Sequence, residues 1–239
     1  IDDSTISVQD LNGKLLWSHT VSGFPLGGNV RVGKLLPERK GLQILSFSNR
    51  MDTGDGQGYL FVFDQGAQHG ELAWTTGPLT GQHSPTLIVD DVDGDGLSEV
   101  IVAPHYRVQI FNGQTGELKA EVPWDVGRNY GILLTRSRRN SPYKDIFIVC
   151  DFMPHVDCIG HRDGTWQHVW GHKYVEPNAP TPRGREKYIR VGPQPIVQEV
   201  GDGRERIAYM FTDVSTDASW HLHVHSIETG ELVADVPNI

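Results

Sequence analysis

The chain has 239 residues and a formal net charge of −9 at pH 7. Its apolar runs stay well below the roughly 18 residues of a membrane-spanning helix, so we expect no membrane span. The acidic balance and the lack of a recognised RNA- or DNA-binding motif argue against a nucleic-acid partner. The apolar runs have strand length and no stretch has a helical period, which predicts an all-β fold in one domain, residues 1–239.

A short tail recurs along the chain: a predicted strand, a turn containing Asn-Gly, Asp-Gly or Gly-Glu, and then Leu or Trp. Its turn glycines follow one another at roughly 50-residue intervals, and they are Gly13, Gly70, Gly116, Gly164 and Gly230. Asn-Gly and Asp-Gly pairs are typical of β-hairpins. Each unit is therefore predicted to hold about four short antiparallel strands, as the blades of a β-propeller do.

In chain order, residues 1–20 are predicted to hold the last two strands of a blade. Full blades are predicted at residues 29–78, 85–125, 131–170 and 191–236. These units make about four and a half blades, and an arc of blades leaves exposed sheet edges that a closed ring would cover. We therefore expect a fragment of a larger propeller with about six to eight blades, and the rest of that propeller as a partner.

Residues 91–99 read Asp-Val-Asp-Gly-Asp-Gly-Leu-Ser-Glu and separate two predicted strands, residues 86–89 and 100–103. Carboxylates at alternate positions around a glycine bend offer the oxygen ligands that Ca²⁺ prefers, and strands on both sides exclude an EF-hand. The alternative is a solvated Asp/Gly turn. The predicted ligands of one Ca²⁺ are Asp91, Asp93, Asp95, the Leu97 carbonyl and Glu99.

This loop and its flanking strands resemble the FG-GAP/VCBS repeats of integrin-alpha-type propellers. The Gly-Glu-Leu…Trp tails are similar to those of quinoprotein-type, PQQ-like propellers. The first resemblance implies that Asp91, Asp93, Asp95 and Glu99 carry the metal between the first two strands of a blade. The other units lack these acids, so we expect a single metal site. The second resemblance does not imply quinone chemistry, because the family's adjacent cysteine pair is absent.

The calcium loop also bears on location, because millimolar calcium outside the cytoplasm fills weak sites that cytosolic calcium leaves empty. We therefore expect an extracellular, periplasmic or cell-surface protein. Cys150 and Cys158 are compatible with this location without requiring it. They either face each other across a hairpin or are buried thiols.

Charge is unevenly distributed: residues 128–190 contain 11 of the 21 Lys and Arg residues but only six of the 30 acidic ones. A basic face on an acidic protein attracts anions, although charged blade loops also serve solubility. Within this segment, residues 171–190 are predicted to form a long loop, which is either functional or a spacer. The predicted contacts to an anionic ligand are Arg128, Arg183, Arg185 and Arg190.

Histidines add a further pattern, because His221, His223 and His225 alternate along one predicted strand and therefore share a face. Three imidazoles could bind Zn²⁺ or Cu²⁺, although one strand seldom directs three of them at a single ion. His83 and His105 flank the predicted calcium blade, and either is a candidate for proton transfer or for simple packing.

Two functions fit the sequence. The first is a calcium-binding propeller module that recognises a protein or an acidic glycan, as in cell adhesion, and the absence of a catalytic motif favours it. The second is a propeller-type lyase acting on an acidic, uronate-containing polysaccharide. Elimination needs a positive group at the carboxylate and a base at the adjacent carbon. The candidate catalytic residues are His105, Arg128, Tyr174 and Arg190.

Overall fold

The computed structural model describes most of the chain and shows an all-β protein built from antiparallel sheets. Among the described residues, no helix is long and apolar enough to cross a membrane. The chain divides into two compact units, Ile1–Glu121 and Val122–Ile239. The described residues are 4–21, 26–50, 57–64, 71–76, 79–80, 86–103, 107–123, 132–138, 140–150, 155–173, 189–191, 196–199, 201–213 and 220–237.

The first unit begins with a two-stranded sheet of β1 (Ser4–Gln9) and β2 (Leu15–Val21). The second sheet has the order β3-β4-β5-β6, with a short β7 also paired to β5. The third sheet has the order β11-β10-β9-β8. Their strands are β3 (Leu26–Gly33), β4 (Gln43–Arg50), β5 (Gln57–Asp64), β6 (Glu71–Thr75), β7 (Leu79–Thr80), β8 (Thr86–Asp90), β9 (Glu99–Ala103), β10 (Arg107–Asn112) and β11 (Leu118–Pro123).

The second unit contains two sheets. One has the order β12-β13-β14-β15, and the other has the order β16-β18-β19-β20 with β17 also paired to β18. The strands are β12 (Ile132–Ser137), β13 (Lys144–Cys150), β14 (His155–Arg162), β15 (Thr165–Lys173), β16 (Ile189–Val191), β17 (Ile196–Glu199), β18 (Glu205–Asp213), β19 (Trp220–Ser226) and β20 (Leu232–Pro237).

The predicted all-β class and the four-stranded antiparallel units are confirmed. Residues 171–190, predicted to be a loop throughout, are partly strand, because β15 runs to Lys173 and β16 begins at Ile189. The loop prediction rested on three prolines at positions 177, 180 and 182, and these lie outside the described residues. The strand ends on either side have no proline, and their backbone groups pair with neighbouring strands.

Each unit has its own hydrophobic core between neighbouring sheets. In the first unit, Leu45 and Phe47 of β4 pack with Val100 and Val102 of β9. In the second, Phe147 of β13 and Ile207 and Tyr209 of β18 belong to one buried cluster. Every residue of β9 is buried. The central strands therefore read as nearly continuous apolar runs, because both of their faces are covered.

A tryptophan joins the two large sheets in the same way in each unit. The Trp74 side chain of β6 donates from Nε1 to the Gly113 carbonyl at 3.1 Å, and its ring lies against Gly116 of the hairpin that follows β10. Trp170 of β15 repeats this contact, donating to the Ile227 carbonyl at 2.7 Å with its ring against Gly230. In each unit, a tail glycine of one sheet is thus the partner of a tryptophan in the sheet before it.

Candidate functional site

The loop between β8 and β9 brings three predicted metal ligands together. Asp91, Asp93 and Glu99 each offer one carboxylate oxygen, and these oxygens lie within 4.8 Å of one another. Asp91 shapes the loop by accepting the Gly94 amide at 2.7 Å and the Gly96 amide at 3.1 Å. Both glycines have positive φ, at 77° and 87°, which explains the Asp-Gly-Asp-Gly sequence, since glycine adopts this conformation without steric cost.

The remaining two predicted ligands are not part of that group. Asp95 is exposed, and its Oδ1 accepts the Leu97 amide at 2.8 Å. Asp95 would therefore have to rotate, and the Leu97 carbonyl would have to face the ion, to complete the predicted coordination shell. The structure brings together three of the four predicted carboxylates.

A lysine that the sequence analysis did not single out lies at the same group. Lys119 of β11 donates from Nζ to Asp93 Oδ2 at 2.5 Å and to Glu99 Oε1 at 2.9 Å. Glu99 is almost fully buried and also accepts the Val92 amide at 3.1 Å. The Lys119 ammonium therefore neutralises two of the three clustered carboxylates.

The titration of these groups reflects burial. Desolvation raises the pKa of Glu99 above its usual value, although the hydrogen bonds from Lys119 and Val92 act in the opposite direction. Burial by itself lowers the pKa of Lys119, but its bonds to Asp93 and Glu99 outweigh this effect and raise that pKa. Oxygen donors clustered at one point fit a hard divalent ion, which would have to displace the ammonium.

In three other sheets, the polar residue at or near the start of the strand that corresponds to β9 has different partners. Gln43, at the start of β4, accepts the Leu35 and Leu36 amides at 2.8 and 2.9 Å. Asp145, near the start of β13, forms a two-point ion pair with Arg162 at 2.8 and 3.0 Å. Glu205, at the start of β18, accepts from Arg136 Nε at 2.7 Å. In the part of the chain that the structure describes, three carboxylates converge only in the Asp91 loop.

The second unit contains a cavity of about 660 Å³ with three arginines in its wall. Glu205 holds Arg136, Asp145 holds Arg162, and Arg138 donates to the His161 carbonyl at 3.1 Å. Beside this carbonyl, the His161 ring stacks on Tyr143 with centroids 3.7 Å apart. The lining residues are Arg136, Arg138, Asp145, Arg162, Glu199, Gly203, Glu205, Ile227 and Glu228.

This wall offers both hydrogen-bond donors and acceptors, the combination that a hydroxyl-rich ligand needs. Guanidinium groups only donate hydrogen bonds and carboxylates only accept them, whereas a hydroxyl does both. The lining contains one more carboxylate than guanidinium, so its charge alone does not attract a simple anion. A sugar that also bears a carboxylate would use both kinds of group.

Most of the residues predicted to contact ligand or to act in catalysis lie outside the described residues: His105, Arg128, Tyr174, Arg183 and Arg185, together with His83. Of Arg190, the backbone is described, in β16 opposite Thr212. Three arginines of the basic segment line the cavity, but the sequence does not distinguish Arg136, Arg138 and Arg162 from its other basic residues. Arg136 and Arg138 alternate at the end of β12 and just after it, and Arg162 is the last residue of β14. The sequence carries no other signal for them.

The histidines of β19 have different environments and different partners. His225 is fully buried, and its ring nitrogens contact the Tyr209 hydroxyl at 2.8 Å and the Gly230 carbonyl at 2.9 Å. Burial lowers the pKa of His225 to about 4 and also lowers that of His223. His221 instead contacts Asp235 of β20, with Nδ1 2.7 Å from Oδ1.

The strand register answers the question of the two cysteines. Cys158 pairs with Phe147, and Cys150 pairs with His155. The cysteines are therefore three residue pairs apart along the hairpin, about 10 Å, which is beyond the Cα separation that a disulfide spans. They do not face each other, and Cys158 is a buried free thiol.

The Cys158 thiol should therefore be inert in the folded protein. Burial raises its pKa well above the usual value, and the thiolate is the reactive species. In a Cys150→Ser background, we expect almost no reaction with a thiol reagent at pH 8 and about one equivalent after unfolding in denaturant. Rapid labelling of the folded protein would contradict this burial.

Comparison with known proteins gives a likeness of fold alone. No protein-family model matches the sequence, and no curated protein matches it. A rhamnogalacturonan lyase from Bacillus licheniformis matches with a TM-score of 0.51 at 14% identity, over 98% of this chain and 54% of the lyase.

Two further structures match with a TM-score of 0.49 at 15% identity each. One is an exotype rhamnogalacturonan lyase, over 96% of this chain and 51% of that one. The other is the V. cholerae biofilm matrix protein Bap1, over 94% of this chain and 42% of that one. The chain thus spans about half the length of these three structures, which are β-rich, as it is.

Proposed function

We propose that this chain is part of a calcium-stiffened β-propeller that acts as a lyase on an acidic, uronate-containing polysaccharide. The observation that carries the proposal is the cavity of guanidinium and carboxylate groups in the second unit. The fold shared with the B. licheniformis lyase, whose name states its action on rhamnogalacturonan, points to the same class of ligand.

A propeller is supported by how consecutive sheets meet. Each large sheet is a blade-sized antiparallel unit, and Trp74 and Trp170 each dock on the hairpin of the sheet that follows. A radial arrangement of blades requires the same docking contact to repeat between sequential sheets. The FG-GAP/VCBS-like and PQQ-like blades, about four and a half in number and belonging to one propeller domain, are part of this proposal.

Calcium is proposed as the ion of the Asp91, Asp93 and Glu99 group, with Asp95 and the Leu97 carbonyl completing the shell. Its role is structural, because it ties the loop between β8 and β9 to the buried Glu99 at the start of β9. An exchangeable oxygen site of this kind fills at millimolar calcium, so we propose that the protein works outside the cytoplasm, in an extracellular, periplasmic or cell-surface location.

The proposed reaction is β-elimination at a uronate. A base removes the proton at C5, an arginine stabilises the negative charge that moves onto the carboxylate, and the C4–O bond breaks to leave a C4=C5 double bond. The departing oxygen takes up a proton. His105, Arg128, Tyr174 and Arg190 remain the candidates for these roles, and Arg136, Arg138 and Arg162 are proposed to hold the chain of sugars.

The test is incubation of the calcium-loaded chain with rhamnogalacturonan and with polygalacturonate. The unsaturated product absorbs at about 235 nm, so elimination should raise the absorbance steadily. Arg138→Gln should weaken substrate binding about tenfold, because it removes a charged donor from the cavity wall. Arg204→Gln is the matched control, since Arg204 is exposed and outside that wall.

A binding module without catalysis is the second candidate. It is favoured by the described lining of the cavity, which includes no Tyr, His or Lys to serve as the base. In this case the same polymers, or a protein surface of similar chemistry, should bind without any rise in absorbance. Calorimetry on the same samples separates the two functions. Both are rejected if the polymers neither bind nor undergo elimination.

A further inference from the structure

His221, His223 and Asp235 converge on one point at the β19–β20 pair, in the second unit. One donor atom from each side chain lies within 4.8 Å of the others. His221 and His223 share a face of β19 because they are two residues apart, and Asp235 lies directly opposite His223 in the register. The two paired strands thus direct three donor atoms toward one point, which a single strand seldom does.

His225 is not part of this group. Both of its ring nitrogens are already used, by Tyr209 and by the Gly230 carbonyl. A bulge also shifts the register between Val224 and His225. The sequence pattern of three alternating histidines therefore separates into one packed imidazole and two that turn toward Asp235.

We propose that His221, His223 and Asp235 form a binding site for a divalent transition metal of the Zn²⁺ type. Two imidazoles and one carboxylate are a ligand set that such ions accept, with water in the remaining position. In a tetrahedral zinc site the ligand atoms are about 3.4 Å apart. The Asp235 Oδ1 atom already lies 2.7 Å from His221 Nδ1 and 3.5 Å from His223 Nε2.

The exposure of these side chains suits an exchangeable ion. The Asp235 side chain is 43% exposed, that of His221 18% and that of His223 9%. A bound ion would replace the direct contact between His221 Nδ1 and Asp235 Oδ1, with a small outward movement of the exposed carboxylate. The buried His223 would provide the fixed ligand, since it packs 6.1 Å from the Tyr209 ring.

The site is independent of the Asp91 loop and of the proposed lyase activity. Its nitrogen donors select a borderline ion, whereas the oxygen donors at Asp91, Asp93 and Glu99 select a hard one. A bound ion would link β19 to β20, which is the last strand in the order of its sheet. Metal occupancy should therefore hold this strand in place.

The test is Zn²⁺ titration by calorimetry of the full chain saturated with calcium. We expect about one tight site per chain, with a dissociation constant on the order of micromolar, and a rise of several degrees in melting temperature. His221→Gln and Asp235→Asn should each weaken binding at least tenfold. Both positions are accessible, so these variants keep the buried His223 and are expected to fold.

The matched control is His168→Gln. His168 also contacts a carboxylate, with Nε2 2.8 Å from Asp157 Oδ1, but it belongs to no such group of three donors among the described residues. This variant should bind Zn²⁺ as the wild type does. Co²⁺ in place of Zn²⁺ should give visible absorption bands that disappear in Asp235→Asn.

The proposal is overturned if the wild type shows no tight site. It is equally overturned if His221→Gln and Asp235→Asn bind Zn²⁺ as tightly as the wild type, which would assign the binding to other histidines.

Discussion

Replacing Gly230 with alanine should destabilise the Val122–Ile239 unit by about 2–5 kcal/mol. A Cβ atom at this position would lie 2.6 Å from the Trp170 ring, so the docked tryptophan would have to move. Gly230 also has a φ of 71°, which adds backbone strain for any residue with a Cβ atom. The measurement is the free energy of unfolding in urea, followed by circular dichroism.

The matched control is Gly164→Ala in the same unit. Gly164 has a φ of 84°, but a Cβ atom added there would meet nothing within 4 Å. That variant should lose only the cost of the backbone conformation, about 1–2 kcal/mol. The difference between the two variants therefore isolates the contact with Trp170, and equal losses would show that the contact contributes nothing.

Two changes at Trp170 complete the series. Trp170→Ala should cost about 3–5 kcal/mol, because it opens a cavity beside Phe147 and Ile227 in the buried cluster. Trp170→Phe retains most of the ring and loses the hydrogen bond to the Ile227 carbonyl. Its expected cost is about 1–3 kcal/mol, because that carbonyl is left without its partner.

Much of the fold could be predicted because its signals are local. Strand-length apolar runs such as residues 146–150 and turn residues such as Asp163-Gly164 depend only on nearby sequence. Asp163 and Gly164 do have the positive φ angles, 50° and 84°, of a tight hairpin turn. The Asp91 loop belongs to the same class, since alternation and glycine bends are visible within nine residues.

The parts that could not be predicted depend on register between distant strands. Lys119 lies 20 residues from Glu99, and nothing in the sequence pairs β11 with the loop before β9. Asp235 reaches His223 only because a bulge after Val224 fixes the alignment of β20. The cysteines show the same limit, since a spacing of eight residues allowed them to face each other and the register separates them.

Lys119→Met should distinguish the Lys119 ammonium from the proposed calcium ion as partners of the carboxylates in the Asp91 loop. Without calcium, the variant should lose about 1–3 kcal/mol of stability, because Asp93 and the buried Glu99 lose their charged partner. With calcium, the same change removes a positive charge that the ion must displace. We therefore expect calcium affinity to rise at least tenfold, measured by calorimetry after treatment with chelator.

Asp93→Ala should have the opposite effect on calcium binding, because it removes a proposed ligand and with it most of the thermal stabilisation by calcium. It should also cost a little stability in chelator, because Asp93 holds Lys119 when no metal is bound. Lys14→Met is the matched control for lost charge, since Lys14 is exposed and lies in the turn between β1 and β2. Lys14→Met should change neither the thermal stabilisation by calcium nor the stability in chelator. If Lys119→Met weakened calcium binding, the ammonium would be a supporting group rather than a competitor, and the metal position between Asp91, Asp93 and Glu99 would be wrong.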